Sequence, residues 1–260
     1  MRALVLAAML AACGDDRDPI DGQSVVLVHG AWMGAWAWND VKTELSTRGA
    51  TVTAVELPGH GADTTDIAQI NLRSYIDTVE AAIDAAPKPV VLVGHSMGGI
   101  VVTEAADERA QDLSALIYVT AFVPKAGQSL IGLSMQDADS QLGAALVVQQ
   151  DQGTAAVMSD KLLDVFCADC NATAAQDLDA HYRDEPLLPF TEPALLDNGG
   201  YASVAKYYLY ADEDHAISPA NQHAMTTGIE WTDTAQIETS HSPFLSEPSM
   251  VVDQLERFIE

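Results

Sequence analysis

Short, wholly apolar runs alternate along this chain with segments whose apolar residues recur every three or four positions. Val25-Val26-Leu27-Val28, Pro89-Val90-Val91-Leu92-Val93 and Leu116-Ile117-Tyr118-Val119 are rich in β-branched residues and suit strands buried on both faces. Thr51 to Leu57 alternates as a strand and stops at the turn Pro58-Gly59-His60-Gly61. Trp38 to Thr47 sets Val41 and Leu45 four apart, Leu72 to Ala86 aligns Leu72, Ile76, Val79 and Ile83 on one stripe, and Met97 to Arg109 reads as a third helix. The rhythm breaks over Pro124 to Gly200, which is rich in Ala, Gln and Asp, has prolines at 186, 189 and 193, and shows no strong strand. This stretch predicts a helical insertion into the fold. A strand over Val204 to Ala211, a helix over Ala220 to Thr227, a strand near Ile229 to Ile237 and a helix over Ser249 to Ile259 complete the pattern. Such alternation predicts an α/β fold with a mostly parallel sheet and helices on both faces, in one domain spanning 24–260.

The length suits one large domain or two small ones, and the composition a full core: 260 residues, 48% of them apolar and 19% charged. No apolar run reaches the roughly 20 residues of a spanning helix. The balance of 12 Lys plus Arg against 38 Asp plus Glu gives a net charge of −26, a field that repels nucleic acid and anionic membrane surfaces. Nothing in the pattern specifies an oligomer.

The N-terminus reads as an address. Arg2 precedes an apolar run, Ala3 to Ala12, that ends in Leu10-Ala11-Ala12-Cys13, which resembles the lipobox of bacterial lipoproteins. The expectation is a signal peptide over 1–12, lipidation at Cys13, a polar tether over 13–23, and an exported protein that touches a membrane only through its anchor. Cys167 and Cys170 form the remaining pair. With no second pair a four-cysteine zinc site is impossible, and free or mutually bonded thiols are expected.

Candidate chemistry centres on Gly94-His95-Ser96-Met97-Gly98, which follows a buried strand and opens a helix. That context lets G-x-S-x-G act as a nucleophile elbow, with Ser96 exposed on a tight turn at a helix N-terminus and glycines where backbone approaches closely. A serine hydroxyl needs a base. Of seven histidines, His241 alone lies in a loop after the last strand and before the last helix. The orienting carboxylate should follow the strand ending at Tyr210; Asp212, Glu213 and Asp214 compete, and Asp214 leads best into the turn Ala216-Ile217-Ser218-Pro219. The oxyanion needs two N–H donors, for which Met97 and Ala31 are the candidates. Trp32 is a candidate pocket wall, while Trp36 and Trp38 read better as core. Proton transfer and backbone dipoles suffice for this chemistry, so neither cofactor nor metal is expected.

Together these residues resemble the α/β-hydrolases over Ser24 to Glu260. His29-Gly30-Ala31-Trp32, Gly34-Ala35-Trp36, Leu57-Pro58-Gly59-His60-Gly61 and Ala121-Phe122-Val123-Pro124 resemble the branch of methyl-salicylate-type methylesterases, hydroxynitrile lyases and bacterial carboxylesterases. Phe166 with Asp169-Cys170 resembles its bacterial members. The resemblance implies a triad of Ser96, Asp214 and His241, an oxyanion hole at Ala31 and Met97, and substrate contacts at Trp32 and Phe122. It implies a serine carboxylesterase acting on small to medium esters. The lyases carry Thr at the position of Gly30 and Lys after the catalytic His, where this chain has Ser242, so lyase activity is not expected. The same acyl chemistry would serve an amidase or lactonase, and a ligand-binding protein on this scaffold is a third reading that the complete triad argues against.

Overall fold

A computed structural model describes residues 19–260. The expected signal peptide and Cys13 lie outside the described residues, as does most of the tether. The chain forms β1 (Ser24–Val28), α1 (Asn39–Thr47), β2 (Thr51–Val55), α2 (Leu72–Ala85), β3 (Val90–His95), α3 (Gly98–Arg109) and β4 (Leu113–Val119). The insertion then contributes α4 (Leu130–Ser134), α5 (Leu142–Ala145), β5 (Leu146–Gln149), β6 (Thr154–Val157), α6 (Leu162–Phe166), α7 (Ala172–His181), β7 (Glu185–Pro186) and α8 (Leu188–Thr191). The chain closes with β8 (Lys206–Ala211), α9 (Pro219–Thr226), β9 (Asp233–Ile237), α10 (Pro243–Ser246) and α11 (Pro248–Ile259).

The central sheet has the order β2-β1-β3-β4-β8-β9, and all its pairs are parallel. From β1 the chain moves outward to β2, then returns past β1 to build the rest of the sheet. The boundary between β1 and β3 is therefore the point where strand order reverses, and a crevice opens there at the carboxyl ends of the strands. β1 and β3 are buried along their whole length, as their unbroken apolar runs require. The predicted stripe of α2 is buried as Leu72, Ile76, Val79 and Ile83, joined by Tyr75. Its start is fixed by a capping box, in which the Asn71 side chain accepts from the Ser74 N–H at 2.9 Å and Ser74 Oγ accepts from the Asn71 N–H at 3.1 Å.

Two expectations need correction. The insertion is not wholly helical: β5, β6 and β7 form a three-stranded antiparallel sheet. Its first two strands are four residues long and its third only two, too short to display a period, and β5 has its middle residues exposed. The last strand begins at Asp233 rather than near Ile229. Gly228 turns there with a positive φ, and Trp231 folds back so that its indole N–H donates to the Thr226 carbonyl.

Glycines let backbone meet backbone under the site. A Cβ on Gly98 would stand 2.7 Å from the His29 carbonyl oxygen, and one on Gly99 would overlap the carbonyl oxygen of Phe122. Gly99→Ala gains about 1 kcal/mol of helix propensity, but the overlap with a fixed backbone oxygen costs more, about 3 kcal/mol. A net loss of about 2 kcal/mol is the expected result of chemical denaturation. An unchanged midpoint would contradict this packing.

Candidate active site

Three adjoining strands end in residues held at positive φ. These are Trp32 after β1 (61°), Ser96 after β3 (52°) and Thr120 after β4 (44°). None is glycine, and each such residue stores on the order of 1–3 kcal/mol that surrounding contacts must offset. The contacts are present. The Phe122 N–H donates to the Ser96 carbonyl at 3.1 Å. The Tyr208 hydroxyl donates to the Ala121 carbonyl at 2.8 Å and accepts from its N–H at 3.0 Å, which fixes the turn beneath Phe122. Thr120 Oγ1 donates to the His241 carbonyl at 2.9 Å.

Asp214 and His241 meet. Nδ1 of His241 lies 2.8 Å from Asp214 Oδ2, and both residues are buried. Asp214 Oδ1 accepts from the N–H groups of Ala216 and Ile217, both at 2.8 Å, and Oδ2 also accepts from Gln222 Nε2 at 3.0 Å. Four donors thus converge on two oxygens. A carboxylate so surrounded can only accept, so His241 keeps its proton on Nδ1 and presents Nε2 as a base. The competing acids face elsewhere: Glu213 is exposed, and Asp212 bonds the Gln236 amide.

The His241 loop is seated against the elbow. His95, the residue before Ser96, donates from Nε2 to the His241 carbonyl at 3.0 Å, and the two imidazoles lie 4.6 Å apart between centroids. Burial, then the neighbouring His241, lowers the pKa of His95 well below its usual value, so it stays neutral. Asp169 in the cap holds the other flank by bonding the N–H and hydroxyl of Ser240; its N–H contact is 3.1 Å. Asp169 lies between Cys167 and Cys170, which are disulfide-bonded. Among the described residues Ser96 Oγ has no hydrogen-bond partner; catalytic hydrogen bonds are often long without substrate and tighten only in the complex.

Ser96 and Met97 line a cavity of about 90 Å³ together with Ala31, Trp32, Phe122 and Phe190. Aliphatic side chains from the cap line it as well, with Ser134 and Gly143, and Ala216 and Ile217 beside Asp214 complete the wall; none of the lining side chains carries a charge. A broader surface depression of about 520 Å³, between Asp66–Ala68 and Asp151–Gly153, includes none of the candidate residues. Every predicted oxyanion and substrate residue therefore lies at the cavity that holds Ser96. Trp38 is core, packed on Phe244, and Trp36 stacks on His181. The Trp32 N–H is committed to Glu185 Oε2 at 2.8 Å. Ala31 and Met97 have no backbone acceptor for their N–H groups among the described residues. A Cβ on Gly30 would stand 2.7 Å from Ser96 Cβ, so this backbone has no room for a threonine there.

Sequence reasoning missed Glu185, His60 and Gln222. Glu185 is fully buried and bonds groups 110 to 153 residues away, a distance over which no local pattern carries a signal. His60 precedes the serine, so the chain order that singles out His241 does not reach it. Gln222 sits eight residues after the acid it holds, and only its burial on a short helix marks it.

The fold and the site define a class. Residues 25–254 match the alpha/beta hydrolase family, and the chain belongs to that family. It is 29% identical over 248 residues to methylesterase 2 of Arabidopsis thaliana, covering 90% of this chain and 94% of that one. It is 32% identical over 195 residues to the carbendazim hydrolyzing esterase of Nocardioides sp. (strain SG-4G), covering 72% and 79%. Among solved structures it is similar in fold to polyneuridine aldehyde esterase, with a TM-score of 0.80 at 22% identity, covering 92% of this chain and 99% of that one. These relatives are esterases, of the branch that the sequence resembles.

Proposed function

We propose that this protein is a serine carboxylesterase that hydrolyses small, uncharged carboxylic esters through an acyl-enzyme on Ser96. The observation that carries the reading is the buried Asp214–His241 pair, seated by His95 against a serine elbow in the wall of an apolar cavity. His241 Nε2 takes the proton of Ser96 as Oγ attacks the ester carbonyl. Asp214 holds the imidazole and stabilises the imidazolium without taking its proton. The N–H groups of Ala31 and Met97 bind the oxyanion as it forms, a pair of donors of which each is worth on the order of 10²–10³ in rate. His241 returns the proton to the departing alcohol, then activates the water that releases the acid. The names of the relatives, methylesterase among them, support an ester with a small alcohol.

The cavity sets the acyl preference. An ionised acyl group would enter a wall with no charge to meet it and would lose its hydration there. Acetate and butyrate esters are therefore expected to exceed an anionic ester, such as a monosuccinate, by at least about 100-fold in kcat/KM, a difference of roughly 2.7 kcal/mol. A panel of p-nitrophenyl and methyl esters, with amide and lactone counterparts, tests this. Equal turnover of anionic and neutral acyl groups would remove the substrate assignment, and faster turnover of the amides or lactones would replace the reaction class.

A further inference from the structure

The cap grips the oxyanion loop at one residue from every polar direction. The Trp32 N–H donates to Glu185 Oε2 at 2.8 Å, the Trp32 carbonyl accepts from the Arg183 N–H at 3.1 Å, and the indole Nε1–H donates to the Ala155 carbonyl at 2.8 Å. All three partners come from the cap's small sheet or the residues beside it. Trp32 needs such restraint, because a bulky side chain at a φ of 61° is strained and would relax if released.

Glu185 is also the centre of a buried charge network. Its Oε2 lies 2.7 Å from His60 Nε2, and its Oε1 accepts from the Tyr75 hydroxyl at 3.2 Å. His60 Nδ1 faces the Pro58 carbonyl at 3.1 Å. Both ring nitrogens of His60 thus face oxygen acceptors, an arrangement that favours the doubly protonated ring. Burial opposes that charge, but Glu185 more than offsets it and holds the His60 pKa above its usual value.

The next ring continues the chain. His29 lies 4.8 Å from His60 between centroids and is kept neutral by burial and by the His60 charge. The Leu57 N–H donates to His29 Nε2 at 3.2 Å, so the ring proton is on Nδ1, where it is donated to the Gly30 carbonyl at 2.8 Å. That carbonyl shares a peptide plane with the Ala31 N–H. The following plane, which ends in the Trp32 N–H, is the one Glu185 holds directly. Both planes of the oxyanion loop therefore trace back to one carboxylate on the cap.

We infer that Glu185 is a positioning residue for the oxyanion hole: the cap both roofs the cavity and, through this carboxylate, aims the Ala31 N–H. The inference rests on the oxyanion assignment made above. Without the charge, His60 loses its counter-ion and the Trp32 N–H is left with at most a neutral amide oxygen as acceptor, so the loop can relax from its strained conformation. The loss should fall on the transition state, since the ground-state ester places little charge on its carbonyl oxygen.

The test compares wild type with Glu185→Gln, which keeps the shape and one acceptor but removes the charge. Three quantities are read: kcat and KM for p-nitrophenyl acetate, and the inhibition constant of a trifluoromethyl ketone, whose adduct with Ser96 carries an oxyanion in the hole. The expected result is a fall in kcat of at least tenfold, a matching rise in the inhibition constant, and a KM within twofold. A merely structural Glu185 would lower the melting temperature while leaving kcat and ketone affinity within twofold of wild type, and that outcome overturns the inference. Should Glu185→Gln not fold, His60→Gln, which leaves the Trp32 partner in place but removes its counter-charge, must show the same pattern or the inference falls. A wild type without Ser96-dependent ester turnover would overturn the esterase reading itself, and this inference with it; a turning-over wild type with indifferent variants overturns this inference alone.

Discussion

Replacing Ser96 with alanine is expected to lower kcat for p-nitrophenyl acetate by on the order of 10⁶, with the fold intact. The magnitude follows from the loss of the attacking atom. Proton transfer by His241 then has nothing to act on, and only the oxyanion donors and binding remain, which leave roughly 10³–10⁴ over the uncatalysed reaction. Stability should change little. Ser96 Oγ has no hydrogen-bond partner among the described residues, so its removal strands no buried group. The positive φ at this position is already imposed on a residue with a Cβ, which alanine retains. Titration with a fluorophosphonate should label wild type once and the variant not at all. An alanine variant with wild-type turnover would remove Ser96 as nucleophile.

The second large effect is expected at Asp214. An asparagine has one acceptor oxygen where the native side chain has two, and each native oxygen already accepts from two donors. If the amide oxygen faces Ala216 and Ile217, the amide NH₂ faces His241. The imidazole must then move its proton to Nε2, and it can no longer accept one from Ser96. If the amide is turned over, its NH₂ meets two backbone N–H groups and leaves both unsatisfied. The first arrangement costs catalysis and the second costs stability. The expected result for Asp214→Asn is a fall in kcat on the order of 10⁴, with KM within a few-fold. A variant retaining a tenth of native turnover would mean that the carboxylate does not set the tautomer.

What the sequence made legible, and what it hid, divides by range. The elbow was legible because its signal is local: an unbroken apolar run gives way to a helix across two glycines, and close backbone packing is why those glycines are there. Asp214 and His241 were found by their order relative to the last strands, and that order reflects a topology in which each successive strand end faces the same crevice. The cap was read as helical because its strands are short and pair with one another rather than with the main sheet. The anchors that hold the loops were hidden for a different reason. Asp169, Glu185 and His60 act on groups far away in the chain, and an acidic pair such as Asp184-Glu185 ahead of two prolines carries no mark of its target. Trp32 was expected at the cavity wall and is there, but that its backbone is clamped by the roof above it is visible only in three dimensions.

The cap and the chemistry are separable in sequence, since all three candidate triad members come from strand ends outside 124–200, yet they are not separable in structure. A carboxylate grown from the removable part reaches down into the permanent part and completes its wiring. Transplanting the roof of a cousin onto this base, as an engineer seeking a new substrate range would do, therefore carries a hidden condition: the donor segment must bring its own acid to the spot Glu185 occupies, or the new specificity would arrive on a mistuned engine.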